Sequence, residues 1–176
     1  MSEVVTVRKL GTTKNGRIVY DRKNSHFHPE GGLTYEVLEK AIEQVEIRGA
    51  CYGRNCKKAV ITFDHPIGKT ACVKVGPGDE VVMVKRKGRE GLTPMVKNRE
   101  GDDCNGVCMV FNQIDGTDDL RLVTAYIGDG EAPREPWDSS IRGNKELMKA
   151  VKFWWTHALL FDPELIDYEA NRRVLV

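Results

Sequence analysis

The chain has 176 residues, 40% of them hydrophobic and 30% charged, and its formal net charge is +1. This composition excludes a disordered chain and a uniformly basic one, and the length suits one domain with a hydrophobic core. No apolar run reaches the roughly 20 residues that a membrane helix needs, and the N-terminus lacks the pattern of a secretory signal. We therefore predict a single domain over residues 1–176 that has no membrane partner and is cytoplasmic as made, with export by a signal-less route left open.

The N-terminal part, residues 1–33, is predicted to be a strand hairpin followed by a loop. Short runs of β-branched residues predict strands at residues 3–8 and 17–20. Asn15-Gly16 lies between them and is a strong hairpin-turn signal. The loop after the second strand is polar and ends in two glycines.

Helical and strand patterns alternate in the rest of the chain. Thr34 is typical of an N-cap, and apolar residues recur at helical spacing after it, which predicts a helix at residues 34–47. Short apolar runs predict five strands, at residues 59–63, 70–75, 81–85, 107–111 and 120–127. A last helix is predicted at residues 144–160. The predicted fold class is therefore α+β, with an N-terminal hairpin and helix, an antiparallel β-meander of about five strands and a C-terminal helix.

Residues that can carry acid–base and phosphate chemistry lie near the ends of the predicted strands. His65 follows a strand and precedes Pro66, so it can face a cleft, and its ordinary pKa suits proton transfer at neutral pH. Arg86 and Arg89 follow another strand, and guanidinium groups hold phosphate oxygens bidentately. The hydroxyl of Thr124 could orient a phosphate. The structural alternatives are a capping histidine, a solvated loop and an ordinary strand threonine.

These residue types are what metal-independent RNA cleavage needs, because a base, a cation and a hydrogen-bond donor act together on the phosphate. Since the net charge is close to zero, contact with RNA requires a local basic patch. The sequence offers one such patch, formed by Lys85, Arg86, Lys87 and Arg89, with Lys97 and Arg99 downstream.

Lys69, Trp137 and His157 are the predicted substrate-binding residues. Trp137 lies in a rigid loop and could stack a base or pin the loop to the core. His157 lies on the predicted last helix, where a packed histidine is the alternative. Gly68-Lys69-Thr70 is not the end of a P-loop, because the glycine required five residues earlier is missing and a strand follows.

The five cysteines include two spaced pairs. Cys51 and Cys56 have C-x4-C spacing, and Cys104 and Cys108 have C-x3-C spacing. Two such pairs could hold a zinc ion tetrahedrally, although neither has the C-x2-C spacing of most structural sites. Without an export signal, free thiols are the default. We predict no cofactor and keep a zinc site as the alternative.

Several of these motifs together resemble a known group of proteins. The segments are DHPIGKT at 64–70, KRKGREG at 85–91, VTAYIG at 123–128, EPWD at 135–138 and FWWTHAL at 153–159. They resemble small bacterial proteins associated with plasmids, phages or polymorphic toxins. Those proteins in turn are similar to the BECR superfamily of RNase domains, which includes barnase, EndoU, colicin-type tRNases and RelE-like toxins. The resemblance covers about residues 34–160 and implies a helix followed by an antiparallel sheet that bears the active site.

The resemblance also implies a function and partners. It implies that the chain is a metal-independent endoribonuclease-like, toxin-like hydrolase. In that reaction His65 is the general acid and base, Arg86 or Arg89 binds the phosphate, and Thr124 supplies the hydroxyl. RNA is the implied substrate, and an immunity or antitoxin protein is the implied partner. The alternative is a non-catalytic protein of a phage or mobile element, or a binding module, with or without a structural zinc site.

Overall fold

The protein was obtained as a computed structural model, which describes residues 7–21 and 30–174. Most of the strand predicted at residues 3–8 lies outside the described residues. The chain divides into two compact units, each built from two segments: Met1–Thr70 with Asp103–Gly130, and Ala71–Asp102 with Glu131–Val176. We call these the first and the second unit. That they form a single domain stays a prediction.

Strands outnumber helices in the described chain. In chain order the strands are β1 (Lys9–Thr12), β2 (Ile18–Tyr20), β3 (Lys57–Thr62), β4 (Gly68–Lys69), β5 (Cys72–Lys74), β6 (Val81–Lys85), β7 (Leu92–Val96), β8 (Asp103–Cys104), β9 (Gly106–Gln113), β10 (Leu120–Ile127) and β11 (His157–Leu160). The helices are α1 (Tyr35–Gln44), α2 (Gly143–Trp154) and α3 (Tyr168–Val174), with 3-10 turns at Glu30–Gly32 and Pro163–Leu165. The α+β class is confirmed, as are the N-terminal strand hairpin and the C-terminal helix. No helix among the described residues has both the length and the apolar character of a membrane span.

The helix α1 begins where its sequence predicts. Thr34 is extended, and its hydroxyl accepts a hydrogen bond of 3.2 Å from the backbone N–H of Val37, so Thr34 is the N-cap. Three apolar residues are buried on one face: Leu38, Ala41 and Ile42. The helix ends at Gln44, earlier than predicted, because Val45 is already extended.

The main sheet of the first unit has five strands in the order β1-β2-β10-β9-β3. β2 runs parallel to β10, and the other neighbouring strands are antiparallel. The buried face of α1 shares one hydrophobic core with residues of this sheet, among them Leu10, Val19, Met109, Phe111, Leu122 and Ala125. β4 and β8 form a separate two-stranded ribbon in the same unit.

The second unit contains a four-stranded sheet in the order β5-β11-β7-β6. β11 runs antiparallel to β5 and parallel to β7, and β6 and β7 form an antiparallel hairpin. Two small buried clusters stabilise this unit, one of Val73, Val96 and Ala158 and one of Val84, Met95 and Ile166. α3 lies against the end of edge strand β6, where the Asn171 side chain bonds both backbone groups of Lys85.

The helix predicted at residues 144–160 is wrong over its last part. α2 ends at Trp154, and His157–Leu160 form the strand β11. A short apolar run satisfies helical and strand spacing equally well, so the periodicity does not separate the two. Here the strand form is favoured because β11 supplies backbone hydrogen bonds to both β5 and β7.

The predicted antiparallel meander also differs from the structure. The strands form three sheets with two parallel pairs, β2 with β10 and β11 with β7. β7 has no counterpart among the predicted strands, and Pro94 in its centre is a residue that argues against a strand. The proline is tolerated because β11 pairs only with Met95 and Val96, so Pro94 faces no partner strand on that side of β7 within the described chain.

The buried face of α1 yields a stability prediction. Leu38 has no exposed area, so Leu38→Ala leaves a cavity and should lower the free energy of unfolding by about 2–5 kcal/mol. The matched control Leu147→Ala removes a partly exposed leucine from α2 and should cost less than about 0.5 kcal/mol. Urea unfolding monitored by circular dichroism measures both. A Leu38→Ala loss no larger than that of the control would contradict the assigned core.

Candidate functional site

The predicted site residues divide between the two units. The first unit holds His65, Lys69 and Thr124, and the second holds Arg86, Arg89, Trp137 and His157. Within the second unit the two arginines lie close to Trp137, although the tryptophan is far from them in sequence. Within the first unit, the sheet register separates Thr124 from the strand end that leads to His65.

The two arginines lie on the turn of the β6–β7 hairpin. The strand pairing ends with Lys85 opposite Leu92, which leaves the residues between them as the turn. Gly88 has a φ of 67°, a left-handed conformation that glycine adopts without strain. The basic run that the sequence places after a strand is therefore a hairpin turn, and Arg86 and Arg89 lie at different points of it.

Arg86 is part of a buried polar network. Its Nε donates to the hydroxyl of Thr93 at 2.9 Å, and its Nη2 donates to Oε1 of Glu135. The Thr93 hydroxyl in turn donates to Oε2 of Glu135 at 2.7 Å. The side chains of Arg86 and Glu135 are only 14% and 7% exposed. Buried charges are tolerated when they are paired and hydrogen-bonded in this way.

The network changes the role that Arg86 can play. Burial lowers the pKa of Arg86, and the charge of the Glu135 carboxylate opposes that shift. Because the carboxylate already neutralises the guanidinium, Arg86 is not an open cation. Its contacts instead tie the hairpin turn to the loop that carries Trp137.

Trp137 is held on the same turn by two contacts. Its indole ring lies directly against Gly91, where an added Cβ would overlap three ring atoms, so only glycine allows this approach. The indole Nε1 donates to the backbone oxygen of Leu92 at 3.1 Å. The same loop is held further along by Trp154, whose Nε1 donates to the oxygen of Pro133 at 3.1 Å. The Trp137 ring is only partly buried.

Two exposed arginines act on Asp138, the residue that follows this tryptophan. Hydrogen bonds from Ser140 hold the pKa of Asp138 below its usual range, and the charges of Arg134 and Arg89 lower it further. Arg89 therefore lies within electrostatic reach of the residue that follows Trp137. In the part of the chain that the structure describes, Arg89, Lys87 and Arg134 form no ion pair within 4.0 Å. We name the group of Arg86, Arg89, Thr93, Glu135 and Trp137 the Trp137 platform. Arg89 and Trp137 are its accessible members, and the other three form its buried network.

His65 lies on an exposed turn between β3 and β4. Its Nδ1 lies 2.6 Å from Oδ1 of Asp64, and this hydrogen bond, followed by the histidine charge, lowers the pKa of Asp64. The turn is anchored on both sides, because Phe63 N donates to the oxygen of Asn105 and Ile67 N to the oxygen of Cys104. A histidine whose Nδ1 bonds a carboxylate keeps Nε2 for proton exchange with a ligand.

Lys69 and Thr124, the other two predicted site residues of the first unit, each lie opposite a residue of a neighbouring strand. Lys69 Nζ donates to Asp103 at 2.7 Å across the β4–β8 ribbon. Thr124 lies opposite Val110 on β9, whereas Thr62, the last residue of β3, lies opposite Gly106. Four residues along the strand and two strand spacings separate Thr124 from Thr62 by roughly 16 Å.

His157 is held by its own neighbours. Its ring stacks on Phe153 with centroids 3.8 Å apart and an angle of 11° between the planes. Its Nδ1 lies 2.8 Å from the Phe153 oxygen and 3.0 Å from the hydroxyl of Thr156. This geometry is that of the packed histidine, the structural alternative to a substrate contact.

The four cysteines of the zinc alternative do not converge. The Cys56 thiol lies 3.5 Å from Nδ2 of Asn112, near the end of β9, while Cys104 precedes the start of the same strand. The six residue steps along β9 from Gly106 to Asn112 span about 20 Å. Among the described residues, no group of three or more histidine, cysteine, aspartate or glutamate side chains could hold a metal ion.

Two residues of the Trp137 platform, Thr93 and Glu135, carry no predicted role. Thr93 lies in β7, a strand whose central proline argues against a strand prediction. Glu135 belongs to the EPWD segment, in which only Trp137 has a predicted role. The sequence signal for these residues is a basic turn together with a glutamate two residues before a tryptophan, a combination that allows an ion pair near a partly exposed ring.

Comparisons with known proteins add little to this geometry. No protein-family model matches the chain, and no curated protein matches it. Among solved structures the chain is similar to a crystal structure of a conserved hypothetical protein from Toxoplasma gondii ME49, at 10% sequence identity and a TM-score of 0.48. That match covers 76% of this chain and 86% of the other. The likeness carries no information on activity.

The buried network can be tested through stability. Glu135→Gln removes the negative charge that neutralises Arg86 and should lower the free energy of unfolding by about 3–5 kcal/mol, because a buried cation is left unpaired. Glu36→Gln breaks an exposed pair with Lys40 and should leave stability nearly unchanged. Guanidinium chloride unfolding compares the two variants. Equal midpoints for Glu135→Gln and the native protein would show that the pair stabilises nothing.

Proposed function

We propose that this chain binds single-stranded RNA through the Trp137 platform of its second unit. The observation that carries the proposal is a partly exposed indole fixed against Gly91, on the hairpin turn that also carries Arg89. The Arg89 guanidinium forms no ion pair within 4.0 Å among the described residues. Proteins that bind single strands combine aromatic rings that stack bases with cations that follow the backbone. The platform provides both within one short stretch of surface.

Arg89 takes the phosphate role in this proposal, and Arg86 takes a positioning role. The guanidinium of Arg86 is buried and neutralised by Glu135, so a phosphate would have to displace that carboxylate. Arg89 carries its charge without an ion partner in the described chain and can present two parallel N–H donors to a phosphate. Arg134, whose charge also acts on Asp138, adds a second cation.

Trp137 takes the base-stacking role. Its contacts with Gly91 and Leu92 hold the ring in one orientation, so little side-chain entropy is lost when a base stacks on it. Stacking does not depend on base identity, because each base has an aromatic face. Single-stranded RNA is favoured over a duplex because its bases are free to leave the helical stack.

The binding prediction uses a fluorescein-labelled 12-nucleotide single-stranded RNA and fluorescence anisotropy in low salt. Trp137→Leu keeps an apolar contact on Gly91 but removes the stacking ring, and it should weaken binding by about 5- to 100-fold. Trp137→Phe keeps a smaller ring and should weaken binding less. Arg89→Gln should reduce the slope of log Kd against log salt by about 0.7, the value for one phosphate contact on a single strand.

Two matched variants control this experiment. Trp155→Leu removes an exposed tryptophan elsewhere in the second unit, and Arg54→Gln removes an exposed arginine from the first unit. Both should bind the RNA like the native protein. If the control variants weaken binding as much as those at Trp137 and Arg89, the Trp137 platform is not the RNA site.

We also propose a second function, metal-independent cleavage of RNA with His65 as the acid–base residue. The supporting observation is the hydrogen bond between His65 and Asp64, which orients an exposed imidazole. The histidine takes the proton of a 2′-hydroxyl, and that oxygen attacks the adjacent phosphorus. The bond to the 5′-oxygen breaks, the leaving oxygen takes up a proton, and a 2′,3′-cyclic phosphate remains.

The cleavage prediction is tested by incubating the protein with total cellular RNA in excess EDTA. The native chain should leave 2′,3′-cyclic phosphate ends, and His65→Ala should lower the rate by about 100-fold or more. His157→Ala is the matched control, since that histidine is packed on Phe153, and it should cleave at the native rate once folding is verified. RNA binding without cleavage would overturn the catalytic proposal and leave the binding proposal standing.

Three expectations from the sequence stay predictions. They are an immunity or antitoxin protein as partner, membership of the BECR group and a cytoplasmic location. The dispersed cysteines favour free thiols over a zinc site, and zinc analysis of the purified chain under reducing conditions measures this directly.

A further inference from the structure

The helix α2 exposes most of its surface. Of its twelve residues only Ala150 is fully buried. Trp154 anchors the C-terminal end through its bond to Pro133, and the Arg142 side chain makes no capping hydrogen bond at the N-terminal end. An isolated helix of this length is marginal in water, because helices gain most of their stability from packing on another element. α2 therefore has a face that could gain stability from a partner.

That face is apolar and continuous. Leu147 and Val151 of α2 and Trp155, the C-cap residue that keeps a helical conformation, are spaced four residues apart. Met148 lies beside them, so all four fall within a sector of about 100°. Their exposed fractions are 37%, 37%, 86% and 53% respectively. Single exposed apolar residues are ordinary on a protein surface, but a contiguous row of four along two helical turns marks an interaction surface. We name this row the α2 stripe.

The α2 stripe is bordered by positive charge. Lys145, Lys149 and Lys152 follow its edge at spacings of three and four residues. None of these lysines forms an ion pair within 4.0 Å among the described residues. The helix carries one glutamate, Glu146, whose carboxylate accepts a hydrogen bond from the backbone N–H of Arg142. The surface that flanks the apolar row is therefore cationic and unpaired.

These observations select one kind of occupant. A second copy of the chain would bring lysine against lysine across a helix pair, which like charges oppose. An RNA strand would meet three aliphatic side chains at the centre of the surface, where nucleic-acid interfaces are polar and charged. A partner with apolar residues bordered by carboxylates complements both features.

We infer that the α2 stripe is a docking surface for an acidic amphipathic helix of a partner protein. The partner helix places apolar residues at i, i+4 and i+8 against Leu147, Val151 and Trp155, which is the helix-in-groove mode of recognition. Its glutamates or aspartates lie opposite Lys145, Lys149 and Lys152. This inference rests on α2 alone and does not depend on RNA binding at the Trp137 platform.

The test uses the full-length chain and a designed 18-residue probe peptide. The peptide carries leucines at i, i+4, i+8 and i+11 and glutamates on both sides of that row. Isothermal titration calorimetry should detect saturable binding. Leu147→Ser and Trp155→Ser should each weaken it at least tenfold, and Lys149→Glu should weaken it more at 20 mM than at 500 mM salt. Hydrogen exchange should show slower exchange of α2 amides in the complex.

Two controls make the result specific. Met83→Ser removes an apolar side chain of 56% exposure from β6 and should not change the affinity. A peptide of the same composition with leucines and glutamates scrambled should bind at least tenfold more weakly. Circular dichroism verifies that each variant keeps its fold.

Four outcomes would overturn the inference. They are no binding of the probe at millimolar concentration, equal affinity for the scrambled peptide, no effect of the α2 variants, and native protein that elutes as a dimer and becomes monomeric on Leu147→Ser. A chain that binds vesicles of phosphatidylcholine and phosphatidylglycerol through Trp155 while it ignores the peptide would assign the stripe to a lipid surface instead.

Discussion

The ion pair between Arg86 and Glu135 is the interaction on which the candidate site depends. It joins a hairpin turn to a loop 49 residues further along the chain and is completed by the Thr93 hydroxyl. Two opposite charges taken out of water are tolerated only when their hydrogen bonds are satisfied. Because this network links the turn to the loop, it helps to hold Trp137 against Gly91, on the same hairpin turn as Arg89.

The same network separates two arginines that look equivalent in sequence. Arg86 and Arg89 lie three residues apart on one turn, yet one guanidinium is buried and neutralised while the other has no ion partner among the described residues. The chemistry of a phosphate site requires a cation that a ligand can reach, so the proposed RNA contact belongs to Arg89. The α2 stripe follows a similar logic, since the lysines along its edge form no ion pair among the described residues and its apolar side chains are exposed.

Sequence reasoning succeeds here where the signal is local. The N-cap of α1, the hairpin turn at Asn15-Gly16 and strands such as β6, β9 and β10 follow from a few adjacent residues, and the structure contains all of them. It fails at β7 and β11. β7 contains a central proline, which argues against a strand. β11 is a short apolar run whose spacing fits a helix and a strand equally well. Both are strands whose pairing with distant segments outweighs their local pattern.

By itself the sequence determined the α+β class, the start of α1 and the presence of a basic turn and a rigid tryptophan loop. Those properties depend on capping, periodicity and turn chemistry, which act over a few neighbouring residues. Only the tertiary structure decided that the basic turn and the tryptophan loop meet, that Arg86 is buried by Glu135, and that β11 is a strand. Burial, charge pairing and sheet register depend on residues far apart in the chain, and no local pattern encodes which of them become neighbours.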